Sequence, residues 1–174
     1  MGDGACEHLR GMTIPAIFFP STHGRAVDFD RLTEDRIIVY CYPRTGEPGK
    51  PFPVGCDAIP GARGCTPPSR SIRNNYRAIR KQDAEVFGLS TQGTDYQSEA
   101  AARLHLPFAL FSDENLRFTD ALLLPTFQVH EWTLIKRLTL VMHHQRVEKV
   151  STRFFRPTNT ATKLPLGCVI NAAV

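Results

Sequence analysis

Between residues 44 and 64 the chain carries four prolines and five glycines, and no other stretch limits its possible folds so strongly. Neither a helix nor a central strand can run through it, because proline removes a backbone donor and glycine leaves the backbone loose. The flanks must be separate elements joined by a long loop, and loops of that length are usually functional or disordered. Before the loop, RIIVYCYP (36–43) is an apolar run rich in β-branched and aromatic residues that ends on proline, and it reads as a buried strand. After it, Pro67 and Pro68 suit a helix's first turn, where a missing N–H costs nothing. SIRNNYRAIRK then spaces Ile72, Tyr76 and Ile79 by four and three, so a helix is predicted to begin just after Cys65.

The rest of the chain continues the alternation. AEVFGLS (84–90) reads as a second strand, TDYQSEAAARLHL (94–106) as a helix with Thr94 as N-cap, and FALFSD (108–113) as a third strand. DENLRFTDALLL (113–124) reads as a short helix, and TLIKRLTLVMHHQRVEKVSTRFF (133–155) as two β-type runs joined in a hairpin by the polar HHQR. THGRAVDFDRL (22–32) is polar and turn-rich. Strands alternating with helices and closing on a hairpin imply an α/β fold with a central mixed sheet flanked by helices. One domain over 1–174 is expected, with residues 156–174 a divergent or poorly ordered tail, since two prolines and weak periodicity leave no clear element there.

Charge and cysteine usage narrow the function. The net charge of +4 is modest and the arginines are scattered, so nucleic acid is not an expected partner. No apolar run is long enough to span a bilayer, and Asp3 and Glu7 stand where a signal peptide would be basic and then apolar. Cys6, Cys41, Cys56, Cys65 and Cys168 make an odd, irregularly spaced set, unlike a secreted disulfide framework. A reducing, cytoplasmic setting is expected, with at least one thiol free to react.

Cys65 is the residue placed for chemistry. A thiolate is the nucleophilic form of cysteine, and a helix N-terminus with nearby cations lowers the thiol pKa. Arg63, Arg70 and Arg73 surround it in sequence, Gly64 permits close approach of a ligand to the backbone, and first-turn amides lack intrahelical partners. A small buried hydrophobic thiol is the alternative reading.

RIIVYCYP, GCTPPSRSIRNNY, AEVFGLSTQ, LPFALFSDENLRF and KRLTLV, in that order, resemble the peroxiredoxins, and most closely the peroxiredoxin Q or bacterioferritin comigratory protein branch. The resemblance covers about residues 10–155 and rests on separated motifs. It implies a thioredoxin-like fold and a thiol peroxidase that needs no metal or organic cofactor. Carried over residue by residue, it makes Cys65 the peroxidatic nucleophile, which attacks the O–O bond of hydrogen peroxide or an organic hydroperoxide and becomes a sulfenic acid. It makes Arg137, just before the strand LTLV, the stabiliser of thiolate and developing oxyanion. The backbone from Gly64 to Thr66 becomes the donor cradle, and Pro43, beside Tyr42, the shield over the thiol. The implied partners are the hydroperoxide and an external thiol reductant of the thioredoxin, glutaredoxin or glutathione kind, acting on a monomer or homodimer in cell redox homeostasis.

Departures from the family pattern shape the expectation further. Ala62 stands where a Thr or Ser usually orients the peroxide, so Thr66 or a backbone group would have to substitute. Arg70 stands where relatives carry a resolving cysteine. Cys56 and Cys168 are the remaining candidates for that role, if their sulfurs can reach bonding range; otherwise an external thiol resolves a one-cysteine cycle. A redox-sensing or binding protein with little turnover is the rival reading, and a Cys56/Cys65 disulfide reductase a second, although its spacing is unlike the compact CxxC of such enzymes. Cys41 is expected in the core and Cys6 at the surface. His143 and His144 read as an exposed turn, since they lack the i, i+4 face or CxxC partners of zinc sites. EPGK (47–50) lacks the glycine and hydroxyl of a phosphate loop, and Trp132 reads as a packing residue.

Overall fold

The computed structural model describes residues 6–28, 32, 34–46, 49 and 66–152, and for Thr66 and Pro67 the backbone alone. The expectations for most of the 44–64 loop and for the tail fall outside these residues.

RIIVYC forms β3 (Arg36–Cys41), the centre of the main sheet. It pairs in parallel with β4 (Ala84–Ser90) and antiparallel with β8 (Leu138–His143). β4 pairs in parallel with β5 (Leu110–Ser112), and β8 antiparallel with β9 (Arg146–Ser151). The order is β5-β4-β3-β8-β9, a mixed sheet. The crossover from β3 to β4 carries α1 (Thr66–Arg80), as two parallel neighbours require a long connection.

Alternation along β3 divides the core in two. Ile38, Tyr40 and Tyr42 point to one face, where Ile72 and Ile79 of α1 join Val86, Phe108 and Leu110. The apolar spacing read from the sequence therefore does bury α1 against the sheet. Val39 and Cys41 point to the other face, where they meet Leu9, Phe19, Phe111, Phe118 and Leu140. Phe111 stacks on Phe19 at 5.3 Å and on Phe87 at 4.5 Å between ring centroids. Each buried ring of this size contributes roughly 1.5–3 kcal/mol of transfer free energy.

Several boundaries differ from the sequence reading. α2 (Thr94–Leu104) begins at Thr94, but its N-cap is Gly93, with extended backbone and no side-chain cap bond. Thr94 is thus the first helical residue, and its carbonyl accepts from Ser98 Oγ at 2.9 Å. The helix stops two residues early because His105 turns left-handed, at φ 50°. The helix expected over 113–124 contracts to α3 (Arg117–Ala121), and the strand expected over 108–113 to the three residues of β5. The hairpin is present as β8 and β9, with His144 and Gln145 both at positive φ, the backbone of a two-residue I′ turn. Its leading residues do not join it: β7 (Trp132–Ile135) pairs instead with β6 (Thr126–Val129). A further small ribbon pairs β1 (Phe18–Phe19) with β2 (Val27–Asp28), inside and just before the stretch read as turns alone.

Gly88 is where two strands and a ring meet. A methyl group there would lie 2.5 Å from Leu110 Cδ2 and 2.8 Å from the Tyr40 ring and hydroxyl. Gly88→Ala is therefore expected to destabilise the fold by about 1–3 kcal/mol through overpacking, read as a lower urea midpoint; a wild-type midpoint would contradict this packing.

Candidate active site at the C-terminal end of the central strand

The chain leaves β3 through Tyr42, Pro43, Arg44, Thr45 and Gly46, and each of these is held by a neighbouring element. Tyr42 N–H donates to Leu89 O at 3.0 Å, extending the pairing with β4 by one residue. Its hydroxyl donates to Gln97 Oε1 at 3.1 Å. Pro43 is buried, and its carbonyl accepts from Ser90 Oγ at 3.1 Å. The Arg44 guanidinium lies 4.9 Å from the Tyr96 ring centroid and 4.3 Å from that of Trp132, within cation–π range of both. Thr45 N–H and Oγ1 donate to Gln92 Oε1 at 2.8 and 3.1 Å, and Arg103 Nη2 donates to Gly46 O at 2.9 Å.

Gln97 is the buried hub behind this segment. Besides accepting from Tyr42, it donates through Nε2 to Gln92 O at 2.7 Å and Phe111 O at 3.0 Å. A fully partnered amide in the interior fixes a geometry, because a buried polar group left unmade costs about 1–3 kcal/mol. Nothing in the sequence marked Gln92 or Gln97 as interior residues. Asp113 plays the matching part on the next loop: its carboxylate accepts from Phe118 N, Thr119 N and Thr119 Oγ1 at 3.0, 2.8 and 2.6 Å, which seats α3.

Arg137 comes to the same place by register. β3 and β8 pair with Cys41 opposite Leu138; Arg137 immediately precedes Leu138 and Tyr42 immediately follows Cys41. Its Nε and Nη1 atoms are buried, unlike those of a solvated surface arginine. Pro43 and Arg137, two of the residues named from the sequence, thus both adjoin the Cys41/Leu138 end of the sheet. The first turn of α1 is bound to the same end of β3, since Tyr40 Oη donates to Ser69 Oγ at 3.3 Å. Pro67 and Pro68 carry no N–H, so Thr66 and Ser69 supply the backbone donors of that turn.

Two of the three arginines that surround Cys65 in sequence, Arg70 and Arg73, fall among the described residues. Arg70 is exposed on α1. Arg73 donates through Nη1 to Leu104 O at 2.7 Å and turns its other nitrogens to Asn74, so it closes the C-terminal end of α2. Thr66 is described as backbone only; Gly64, Cys65, Cys56, Cys168, Ala62 and Arg63 lie outside the described residues.

The described cysteines are both buried, Cys6 among them despite its polar segment. Cys41 lies on β3 close to Pro43 in sequence but faces the core. Burial pushes its thiol pKa well up, and the charges of Asp113 and Cys6 push the same way. A raised thiol pKa lowers the thiolate fraction at neutral pH. Native protein treated with iodoacetamide at neutral pH is therefore expected to show Cys41 unmodified by peptide mass spectrometry and alkylated only after denaturation; rapid native labelling of Cys41 would contradict its placement.

Comparison with known proteins agrees with this architecture. Residues 9–164 match the redoxin family. The chloroplastic peroxiredoxin Q of Sedum lineare is 29% identical over 105 residues, covering 60% of this chain and 48% of that protein. Escherichia coli peroxiredoxin Bcp is 28% identical over 105 residues, covering 60% and 58%. The chain spans about half the length of the curated relatives it matches, 48% and 58% for these two. Among solved structures, peroxidoxin BcpB from Mycobacterium tuberculosis superposes with a TM-score of 0.65 at 19% identity, covering 82% of this chain and 84% of that one. The thioredoxin-like fold is thus shared, and the chain, whose curated relatives described above are named peroxiredoxin Q and Bcp, belongs to the redoxin family.

Proposed function

We propose that the protein is a thiol-dependent peroxidase in which Cys65 is the nucleophile. The observation that carries the reading is the convergence at one end of β3. The helix that follows Cys65 in the chain begins at Thr66 and is tied by Ser69 to Tyr40, while Pro43 and Arg137 flank the strand's exit. Membership of a family whose relatives are named peroxiredoxins supports the chemistry.

The reaction needs few parts. The Cys65 thiolate attacks one peroxide oxygen, the O–O bond breaks, and its electron pair leaves on the other oxygen, which takes a proton to become water or an alcohol. The thiol is oxidised to a sulfenic acid and the peroxide is reduced. The α1 N-terminus and the Arg137 guanidinium favour the anion at both ends of this step. Thr66 or a backbone amide orients the peroxide in place of the hydroxyl that Ala62 lacks. An external thiol of the thioredoxin, glutaredoxin or glutathione class then condenses with the sulfenic acid, releasing water, and a second thiol reduces the mixed disulfide. Cys56 and Cys168 are the alternatives as resolving thiols. The odd cysteine count supports work in a reducing compartment such as the cytoplasm, in cell redox homeostasis. No helix among the described residues is long and apolar enough to cross a membrane.

Peroxide consumption with excess dithiothreitol tests the reading. Wild-type protein is expected to turn over, Cys65→Ser to be inactive, and Arg137→Met to lose about 100-fold or more in kcat/KM, the scale for removing an oxyanion donor. Full activity in Cys65→Ser would refute it. Wild-type protein that forms a Cys65 sulfenic acid without turning over would favour the redox sensor instead.

A further inference from the structure

The opposite end of the sheet holds a second group of chemistry-bearing side chains. Arg36, the first residue of β3, pairs with His143, the last of β8, and five residue steps, about 17 Å, separate this pair from Cys41. Here Asp35, His143 and His144 come together, each offering a ligand atom within 4.8 Å of the others. The sequence put two histidines side by side with no third ligand; the strand pairing supplies it from a residue 108 positions away.

The geometry points to a binding site for a divalent transition-metal ion, of the zinc class, held by Asp35, His143 and His144. His143 Nε2 and Asp35 Oδ1 lie 3.0 Å apart. Two ligands bonded to one ion at about 2.0–2.1 Å, at an angle slightly above 90°, are separated by about that distance. The ion thus replaces the proton now shared by the pair, with little movement of either side chain. Arg36 Nη1 lies 2.9 Å from the other oxygen, Oδ2, so the carboxylate presents Oδ1 alone and is oriented by an outer partner, as metal-ligating carboxylates usually are. His144, a left-handed turn residue at φ 47°, stands over His143 with 3.9 Å between ring centroids.

A second feature adjoins the group. A cavity of about 490 Å³ is bounded by Asp35, His144, Glu34 and Asp83, over a floor that includes Ile37 and Met142. Three protein ligands leave a fourth position for water or a small ligand, and the cavity offers room for it. Two imidazoles and one carboxylate favour zinc, nickel or copper over magnesium or calcium, which take oxygen ligands.

The test uses tag-free protein with accessible cysteines blocked by N-ethylmaleimide, titrated with Zn²⁺ by calorimetry and with Co²⁺ by absorbance. One equivalent of Zn²⁺ per chain is expected, with Co²⁺ giving visible bands but no near-ultraviolet thiolate charge-transfer band. His144→Asn keeps a residue that tolerates the left-handed turn, and it and Asp35→Asn are expected to weaken binding at least tenfold while peroxide consumption stays at the wild-type rate. No binding, binding unchanged in both variants, or a thiolate band would overturn the site.

Discussion

Strand β3 is paired on both edges and buried on both faces, and the placement of the described site residues, Pro43 and Arg137, follows from that constraint. A strand with two partners cannot slip by one residue without turning Tyr40 and Tyr42 into the face occupied by Val39 and Cys41. Register is therefore fixed, and with it the positions of three residues far apart in sequence. Arg137 immediately precedes β8, Ser90 closes β4 and Pro43 follows β3, and all three lie at the end of the sheet where Cys41 pairs with Leu138. α1 is bound into the same geometry through Ser69 and Ile72.

The exit from β3 is rigid for a reason distinct from the sheet. Proline and the residues after it cannot extend the ladder, so side chains take over the backbone groups that pairing leaves: Ser90 for Pro43, Gln92 for Thr45, Arg103 for Gly46. The thiol on β3 itself is held out of solvent by the same core. Cys41 is enclosed beside an acidic residue, and burial keeps it protonated. Cys65 stands in sequence directly before a helix N-terminus, where the backbone dipole favours the anion.

The elements legible in the sequence were those whose pattern was strong over many residues. β3, β4 and α1 read correctly because apolar runs, proline punctuation and a three-and-four spacing agreed with one another. The β6/β7 hairpin was hidden because its turn, His130 and Glu131, carries none of the glycine or asparagine signals of a two-residue loop, and β1 and β2 are two residues each, below any pattern. Thr94 has the chemistry of a cap, but the helix starts one residue earlier than a capping threonine would require. At the site, Pro43 and Arg137 were reachable through family resemblance, whereas Gln92 and Gln97 look like surface residues until tertiary packing buries them. Asp35 joins His143 only through the pairing of β3 with β8.

Arg70 bears on how a peroxidase built on this frame could recover its thiol. A second cysteine at that position would lie five residues after Cys65, and five residues of helix advance about 7.5 Å along the axis. A disulfide needs its Cα atoms within roughly 4.4–6.8 Å. Closing such a bridge would therefore require the first turns of α1 to unwind, breaking the Ser69 tie to Tyr40 and uncovering Ile72. Arg70 is exposed and offers no sulfur, so no disulfide from that position can require α1 to unwind. In the peroxidase cycle proposed above, reduction of the sulfenic acid would then pass to a thiol outside the helix, with no melting of α1 required.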